Sequence, residues 1–426
     1  MEREAEVDAL VVGAGPGGST AAWHLARRGL SVLLVDRSTF PREKVCGDGL
    51  TPRAVGVMER MGVDPGGPGF FPVEGCRVVG TGGRSVEFVW PGARSFPALG
   101  LVRRRLDFDH LLARRASDAG ADVREGVEAL RPLVRDGRVA GAVLREADGE
   151  EQVVRSRFVV ASDGAAGRFA ARAGVERDPR GPVAVAARRY FRSPRPQDAM
   201  FEAYLTLRDG DRWLPGYGWV FPMGDGELNV GAYVVRGAAD GDGPRVSARR
   251  AFDAFVATLP DGWGLVEERA TGPLGSAAIP MAVTRRRVAV PGLLLVGDAA
   301  GLANPFTGEG IGYAMESAEV AAELIGRAAA RSDPDLLRAY PALLRQRYGA
   351  LFGAGRRFAR AVSHPAVMRF GATAGMRVRP VARFALEAMA HVGDGRAGGV
   401  RDRLEDGLFR MAALGEPVPA RSGARR

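Results

Sequence analysis

The chain opens on an apolar run, Val7-Asp-Ala-Leu-Val-Val12, that stops at glycines and gives way to a helical pattern over residues 19–28. A short apolar run ended by glycine and followed by a helix period reads as a buried strand entering a helix. A second run of this kind, Val32-Leu-Leu-Val35, ends in Asp36. Between residues 51 and 62, Val55, Met58 and Met61 recur at helical spacing, and residues 108–119 predict another helix with Leu111 and Leu112 on its apolar side. Asp107 is the expected N-cap of that helix, leaving the preceding arginines at its mouth. Residues 65–72, rich in Gly and Pro, read as a linker. Residues 76–90 predict a hairpin turning at Gly82-Gly83, and residues 123–160 a meander turning at Asp136-Gly137 and Asp148-Gly149.

Further along, the apolar run from Phe158 stops at Asp163-Gly164, before a helix carrying Arg168 and Arg172. Strand patterns follow over residues 183–191, 201–207, 217–221 and 227–235, and a helix over 246–259 is expected to cover that sheet. Residues 287–296 read as one buried strand ending at Gly297-Asp298, and Gly308-Glu-Gly310-Ile311 opens a long helix. This interleaving predicts an α/β fold with a discontinuous, Rossmann-like nucleotide domain from residues 1–72, 100–180 and 280–330. An antiparallel β-sheet substrate domain, 73–99 and 181–279, is inserted into it, and 331–426 forms a helical region with a flexible basic tail.

Candidate chemistry sits where these patterns break. Gly13, Gly15 and Gly18 stand in G-x-G-x-x-G register between strand and helix, with Asp36 at the end of the next strand. The first glycine permits the turn, the second lets backbone approach a pyrophosphate, and the third lets helix and strand pack closely. Pro16 and Gly17 complete this segment, and the helix N-terminus favours the phosphate charge. After Asp36, the run Arg37-Ser-Thr-Phe-Pro-Arg42-Glu-Lys44-Val-Cys46-Gly47 is too long and polar for a tight connection. It offers Arg37, Arg42 and Lys44 to phosphate, and a thiol beside open backbone. The Gly297–Gly310 region is a second backbone anion site.

Composition narrows the choice. The net charge of +10, carried mostly by arginine, would suit nucleic acid, but no Cys/His zinc pattern, RNA-binding motif or long basic block accompanies it. Cys46 and Cys76 make no disulfide framework, which suits a reducing cytoplasm, and four scattered histidines offer no metal-ligand spacing. No signal peptide is expected at the N-terminus, and no apolar run reaches the ~20 residues a bilayer span needs. Between Pro341 and Leu386 there are nine arginines and no acid, with Phe352, Phe358, Val362, Val367, Met368, Phe370 and Phe384 interleaved. That composition suits peripheral attachment to an anionic membrane surface, and equally the basic face of a helical cap.

Taken together, Gly13–Asp36, Asp163-Gly164 and Gly297-Asp298 exceed what an NAD site needs. As a set the sequence resembles the FAD-dependent oxidoreductases of the para-hydroxybenzoate hydroxylase type, and more closely the geranylgeranyl reductase family. The pieces that carry the resemblance are Gly-Ala-Gly-Pro-Gly-Gly-Ser, Phe40-Pro-Arg-Glu-Lys-Val-Cys46-Gly-Asp-Gly-Leu, Arg103-Arg-Arg-Leu-Asp107, Gly216-Tyr-Gly-Trp-Val-Phe-Pro222, and Gly297-Asp-Ala-Ala-Gly followed by Gly308-Glu-Gly-Ile. The resemblance implies that Asp36 holds the adenosine ribose and Arg103 the nucleotide portion of FAD. It implies that Asp298 binds the ribityl chain while Gly310 and Ile311 face the pyrimidine edge of the flavin. It further implies hydride transfer to an isolated C=C bond of a polyprenyl chain, such as a menaquinone tail, with NAD(P)H or another carrier as reductant. Tyr204, Trp213, Tyr217, Trp219, Phe221 and Tyr233 are then expected to line an apolar slot, with Cys46, Tyr217 and Trp219 as the catalytic candidates. Gly216 and Gly218 suggest close approach there. An aromatic hydroxylase shares the FAD blocks. A halogenase would carry Trp-x-Trp-x-Ile-Pro where this chain has Tyr217-Gly-Trp219-Val-Phe221-Pro. A flavin-binding scaffold leaves the aromatic slot unexplained.

Overall fold

A computed structural model describes residues 4–179, 181–236, 246–394 and 400–414. Among these, eight strands form one sheet and seven another. The first sheet is built on Glu4–Val12, which pairs in parallel with Glu151–Ala161 on one side and Val32–Asp36 on the other. Leu293–Leu295 and Asp122–Glu125 extend it in parallel at either side. Parallel strands are covered on both faces, which is why Val32–Asp36 is buried at every position. Helix Pro16–Ala26 packs on this sheet and helix Ile311–Ala330 packs against that helix, and Pro at the first helical position gives the former its start.

The seven-stranded sheet runs in the order Gly275–Pro280, Val183–Arg192, Glu227–Arg236, Gly216–Pro222, Met200–Tyr204, Gly75–Val79, Ser85–Val89. It is antiparallel except between Met200–Tyr204 and Gly75–Val79, which run parallel because the chain enters them from separate excursions. Helix Ala248–Val256 covers one face through Phe252 and Phe255. The opposite face looks toward the nucleotide-type sheet, and the cavity described below lies there.

Three local expectations are corrected. Residues 287–296 are two short strands, Ala289–Val290 and Leu293–Leu295, paired as a hairpin because Gly292 adopts φ +81°. Residues 65–72 are more than a linker, since Phe71–Val73 pairs with Gly100–Val102 in a three-stranded sheet that also takes Gly49–Leu50. Asp107 lies inside the helix Arg105–Asp118, whose cap is Arg104; the carboxylate that accepts from the Arg105 N–H is Asp48, at 3.1 Å.

Helices Tyr340–Val362, Pro365–Ala372, Arg379–Ala390 and Val400–Ala413 follow. Phe352, Val362 and Met368 are buried in the core, so only part of the apolar set in this region faces outward. The expected basic tail after Leu414 lies outside the described residues.

Candidate cofactor and substrate site

The glycine turn is tighter than its sequence alone reveals. Gly13 adopts φ +97°, and a Cβ there would meet the Ser162 carbonyl oxygen at 2.4 Å. A Cβ on Gly18 would fall 1.7 Å from the Gly13 carbonyl oxygen, whereas one on Gly15 would find only the Arg42 guanidinium, at 3.8 Å. Gly13 and Gly18 are therefore packing glycines, and Gly15 is the open one. Gly15 caps helix Pro16–Ala26 without a side chain, so the helix mouth faces the cavity unblocked. Asp36 is 8 % exposed; it accepts from Ala14 N at 2.8 Å and Ser38 N at 2.9 Å, which ties the next strand to the turn. Arg42 bridges Asp36, at 3.6 Å, and Asp109, at 3.1 Å.

A single cavity of about 540 Å³ is lined by Gly13, Gly15, Pro16, Gly17, Asp36, Arg37 and Arg42. Cys46, Gly47, Asp163, Gly164, Gly297, Asp298, Gly308, Gly310 and Ile311 share its wall, as do Tyr217 and Trp219. Chain positions about three hundred residues apart thus meet in one space. Arg103 does not join them. Its guanidinium donates to the Pro68 carbonyl at 3.0 Å and stacks on Phe70, so the cavity-facing arginine of that run is Arg105. Gly18 is absent from the wall because it serves helix–strand contact.

Strand Gly216–Pro222 supplies the aromatic wall by simple alternation. Tyr217, Trp219 and Phe221 point to the cavity, and Tyr233 joins from the neighbouring strand with its ring 5.1 Å from Tyr217. The Trp219 indole fits because Gly231 opposes it in register; a Cβ there would come within 2.1 Å of the ring. Gly218 serves the other face, where it makes room for Phe255. Tyr204 and Trp213 do not line the cavity. Tyr204 packs on Phe255 and bonds Glu202 at 2.8 Å, while Trp213 lies under Arg208.

Cys46 sits on this wall beside Gly47, whose Cβ position is 3.1 Å from the Phe221 ring. Burial pushes its thiol up from the ordinary range, partly offset by the Arg105 guanidinium. Beneath it, Asp48 is fully buried with φ 62° and accepts from Tyr190 Oη at 2.5 Å, Asn229 Nδ2 at 2.9 Å and the Arg105 N–H. Burial raises its carboxyl to about 6 despite those donors. Glu309, at the mouth of helix Ile311–Ala330, is raised to about 7 by burial while it accepts from Gly312 N at 2.7 Å.

Asp48, Arg105, Asn229 and Glu309 escaped the sequence reading. Asn229 carried a legible signal, as a lone amide in the otherwise apolar strand Glu227–Arg236. So did Asp48, inside the Cys46-Gly-Asp-Gly segment.

The chain matches the FAD binding domain family over residues 6–351. It is 36% identical over 397 residues to a menaquinone reductase of Mycobacterium tuberculosis, covering 92% of this chain and 93% of that one. It is 32% identical over 355 residues to a digeranylgeranylglycerophospholipid reductase of Thermoplasma volcanium, covering 80% and 84%. Its fold superposes on a geranylgeranyl bacteriochlorophyll reductase-like protein from Thermoplasma acidophilum with a TM-score of 0.76, 26% identity, and 91% and 96% coverage. The chain belongs to the geranylgeranyl reductase family of FAD-dependent oxidoreductases.

The cavity fits the cofactor of this family. Three buried polar atoms on residues of its wall, Asp163 Oδ1, Thr51 Oγ1 and Arg188 Nε, have no hydrogen-bond partner among the described residues. Buried polar atoms are ordinarily paired, so a polar ligand is the fitting complement. Asp163 Oδ2 is already used by Phe169 N at 2.8 Å, which leaves Oδ1 for such a ligand. No helix among the described residues is long and apolar enough to cross a membrane.

Proposed function

We propose that this reductase saturates C=C bonds in the prenyl chain of a menaquinone or a related geranylgeranyl lipid. The observation that carries the reading is the continuity of one cavity between the glycine turn and an apolar wall. That wall runs through Tyr217, Trp219 and Phe221 to Val78, Phe88 and Trp90 of the inserted hairpin, and to Leu386, Met389 and Ala390 of helix Arg379–Ala390. FAD, when bound and reduced, supplies hydride. An isolated alkene has no carbonyl to polarise, so the protein's contribution is position and exclusion of water. In this reading Asp36 and the turn hold the adenosine end, Asp163 and Asp298 hold polar groups of the cofactor's middle, and the mouth of helix Ile311–Ala330 faces the electron-rich ring edge. The Tyr217 hydroxyl, donating to Thr307 O, pins the aromatic wall to that mouth. Cys46, whose thiol burial pushes up, lies on the same wall and is the proton donor in this proposal.

NAD(P)H is the reductant in this reading, tested by anaerobic bleaching of the flavin band. The substrate itself is tested with reduced protein and a geranylgeranyl lipid lacking a quinone ring. A product gaining two hydrogens in its chain supports the reading; no gain, with oxygen-dependent hydroxylation of a phenol instead, moves the protein to the hydroxylases.

On the same proposal the protein works at an anionic membrane surface. Val367, Phe370, Val378 and Val381 are 40%, 63%, 58% and 63% exposed, and Arg369, Arg377 and Arg379 stand among them. The buried side of that last helix carries Leu386 and Met389 on the cavity wall. A lipid chain could then enter beside the helix without crossing water. Flotation with vesicles containing anionic lipid, lost on Phe370→Ser and Val381→Ser together, is the expected result; protein that stays unbound at low salt counts against it.

A further inference from the structure

The side chain of Asn229 makes three hydrogen bonds at once. Its Oδ1 accepts from the Trp219 indole Nε1 at 3.0 Å, and its Nδ2 donates to the Cys46 carbonyl and to Asp48 Oδ2, each at 2.9 Å. It is fully buried, in register with Phe221 on one neighbouring strand and Tyr190 on the other. An indole N–H cannot accept and a carboxylate cannot donate, so only one orientation of the amide satisfies both partners. Tyr190 and the Arg105 N–H hold Asp48 from behind, and Arg188 stacks on the Tyr190 ring at 4.1 Å. Cys46 and Trp219, 173 positions apart in the chain, are thereby joined through a single residue.

We propose that Asn229 is the positioning residue that fixes Cys46 beside Trp219 on the cavity wall, with Asp48 setting the direction of its amide. The kinetic part of this proposal rests on the function proposed above; the positioning part does not. Leucine copies the branching of asparagine at Cγ without its hydrogen bonds but is larger, so the nearly isosteric aspartate serves as the control for added bulk. With leucine the hydrogen bonds would not survive. Losing them loosens the Cys46 end of the loop, whose other ties to the inserted sheet are Tyr190 to Asp48, Arg188 to Glu43 and the Lys44 carbonyl, and the packing of Gly47 on Phe221. A small misplacement of a reacting group costs turnover far more than it costs binding.

The test uses FAD-loaded protein carrying Asn229→Leu or Asn229→Asp, the latter keeping the acceptor for Trp219 but losing both donors. Alkylation by iodoacetamide is followed for each cysteine by peptide-resolved mass spectrometry, with Cys76 as the internal control. The expected result is Cys46 labelling faster by on the order of 10-fold in both variants, Cys76 unchanged, and kcat reduced by on the order of 10- to 100-fold with KM little altered. Unchanged Cys46 labelling overturns the proposal. Equal acceleration at Cys46 and Cys76 also overturns it, since that reports general loosening. Faster labelling at Cys46 alone, in a protein whose wild type reduces no prenyl substrate, upholds the positioning role and counts against the proposed function.

Discussion

Gly18 lies against Gly13 so closely that a Cβ on it would sit 1.7 Å from the Gly13 carbonyl oxygen, a distance no side chain can occupy. The contact joins the first helical turn to the strand before it and so sets where the helix mouth points. Gly15, two residues from Gly13, has nothing nearer than 3.8 Å. The same fingerprint therefore contains a glycine required by the fold and a glycine required by the ligand.

These two positions should separate experimentally. Gly18→Ala forces the turn apart, with an expected loss of roughly 1–3 kcal/mol or more and purification without flavin. Gly15→Ala should leave the melting temperature of the apoprotein near that of wild type and weaken only FAD retention, because the added methyl projects into the cavity. Flavin absorbance per protein and thermal unfolding of the apoproteins read the two effects apart. Equal destabilisation by both variants would contradict the assignment.

Asp48 makes a pH-dependent contribution of unusual sign for a carboxylate. Its ordinary value is 3.8 and burial raises it to about 6 in the folded chain. Between those values the folded protein binds more proton than the unfolded one, so this group's contribution falls as pH rises, by about 1.4 kcal/mol per unit. The decline is complete above about 6, where it amounts to roughly 3 kcal/mol. Asp48→Asn removes the titration. The stability of the variant relative to wild type should then climb between pH 4 and 6 and level off above, as read by urea unfolding at a series of pH values. A difference that stays flat over that interval would show that Asp48 does not titrate there.

Leu386 belongs to the cavity wall contributed by helix Arg379–Ala390. Leu386→Trp should narrow that part of the cavity and select for shorter prenyl chains, with KM for a long-chain lipid raised on the order of 10-fold and that for a short-chain analogue little changed. Steady-state kinetics on two chain lengths decides it. Equal effects on both chains would place Leu386 away from the bound lipid.

The sequence made the first half of the site legible because its chemistry is local. Gly13 to Asp36 is one strand, one turn, one helix and one strand, and each part declares itself by period or by glycine. The aromatic wall was legible in Tyr217 and Trp219, which alternate on one strand. Tyr204 misled because the face a strand presents to a cavity depends on register with neighbours, which pattern alone does not fix; Trp213 misled because it falls in a separate two-stranded hairpin with Arg208–Asp209. Arg103 misled for a related reason: in a run of three arginines the helix start decides which one turns inward, and the cap is supplied by the distant Asp48 carboxylate. Asn229 could be noticed as out of place in an apolar strand, but its partners Cys46, Asp48 and Trp219 come from two other segments of the chain.

In the function proposed for this protein, reducing equivalents reach the prenyl chain and not some other part of the substrate. Reduced flavin can also reduce a quinone ring, so total mass alone does not distinguish the two. The decisive measurement is an anaerobic single turnover of the reduced protein with menaquinone, followed by fragmentation mass spectrometry of the product after reoxidation in air. Two added hydrogens retained in the isoprenoid fragments, and none in the ring fragment, are the expected result. Chain fragments that gain no hydrogen, although the flavin has been reoxidised by the menaquinone, would place the reducing equivalents in the ring and overturn that expectation.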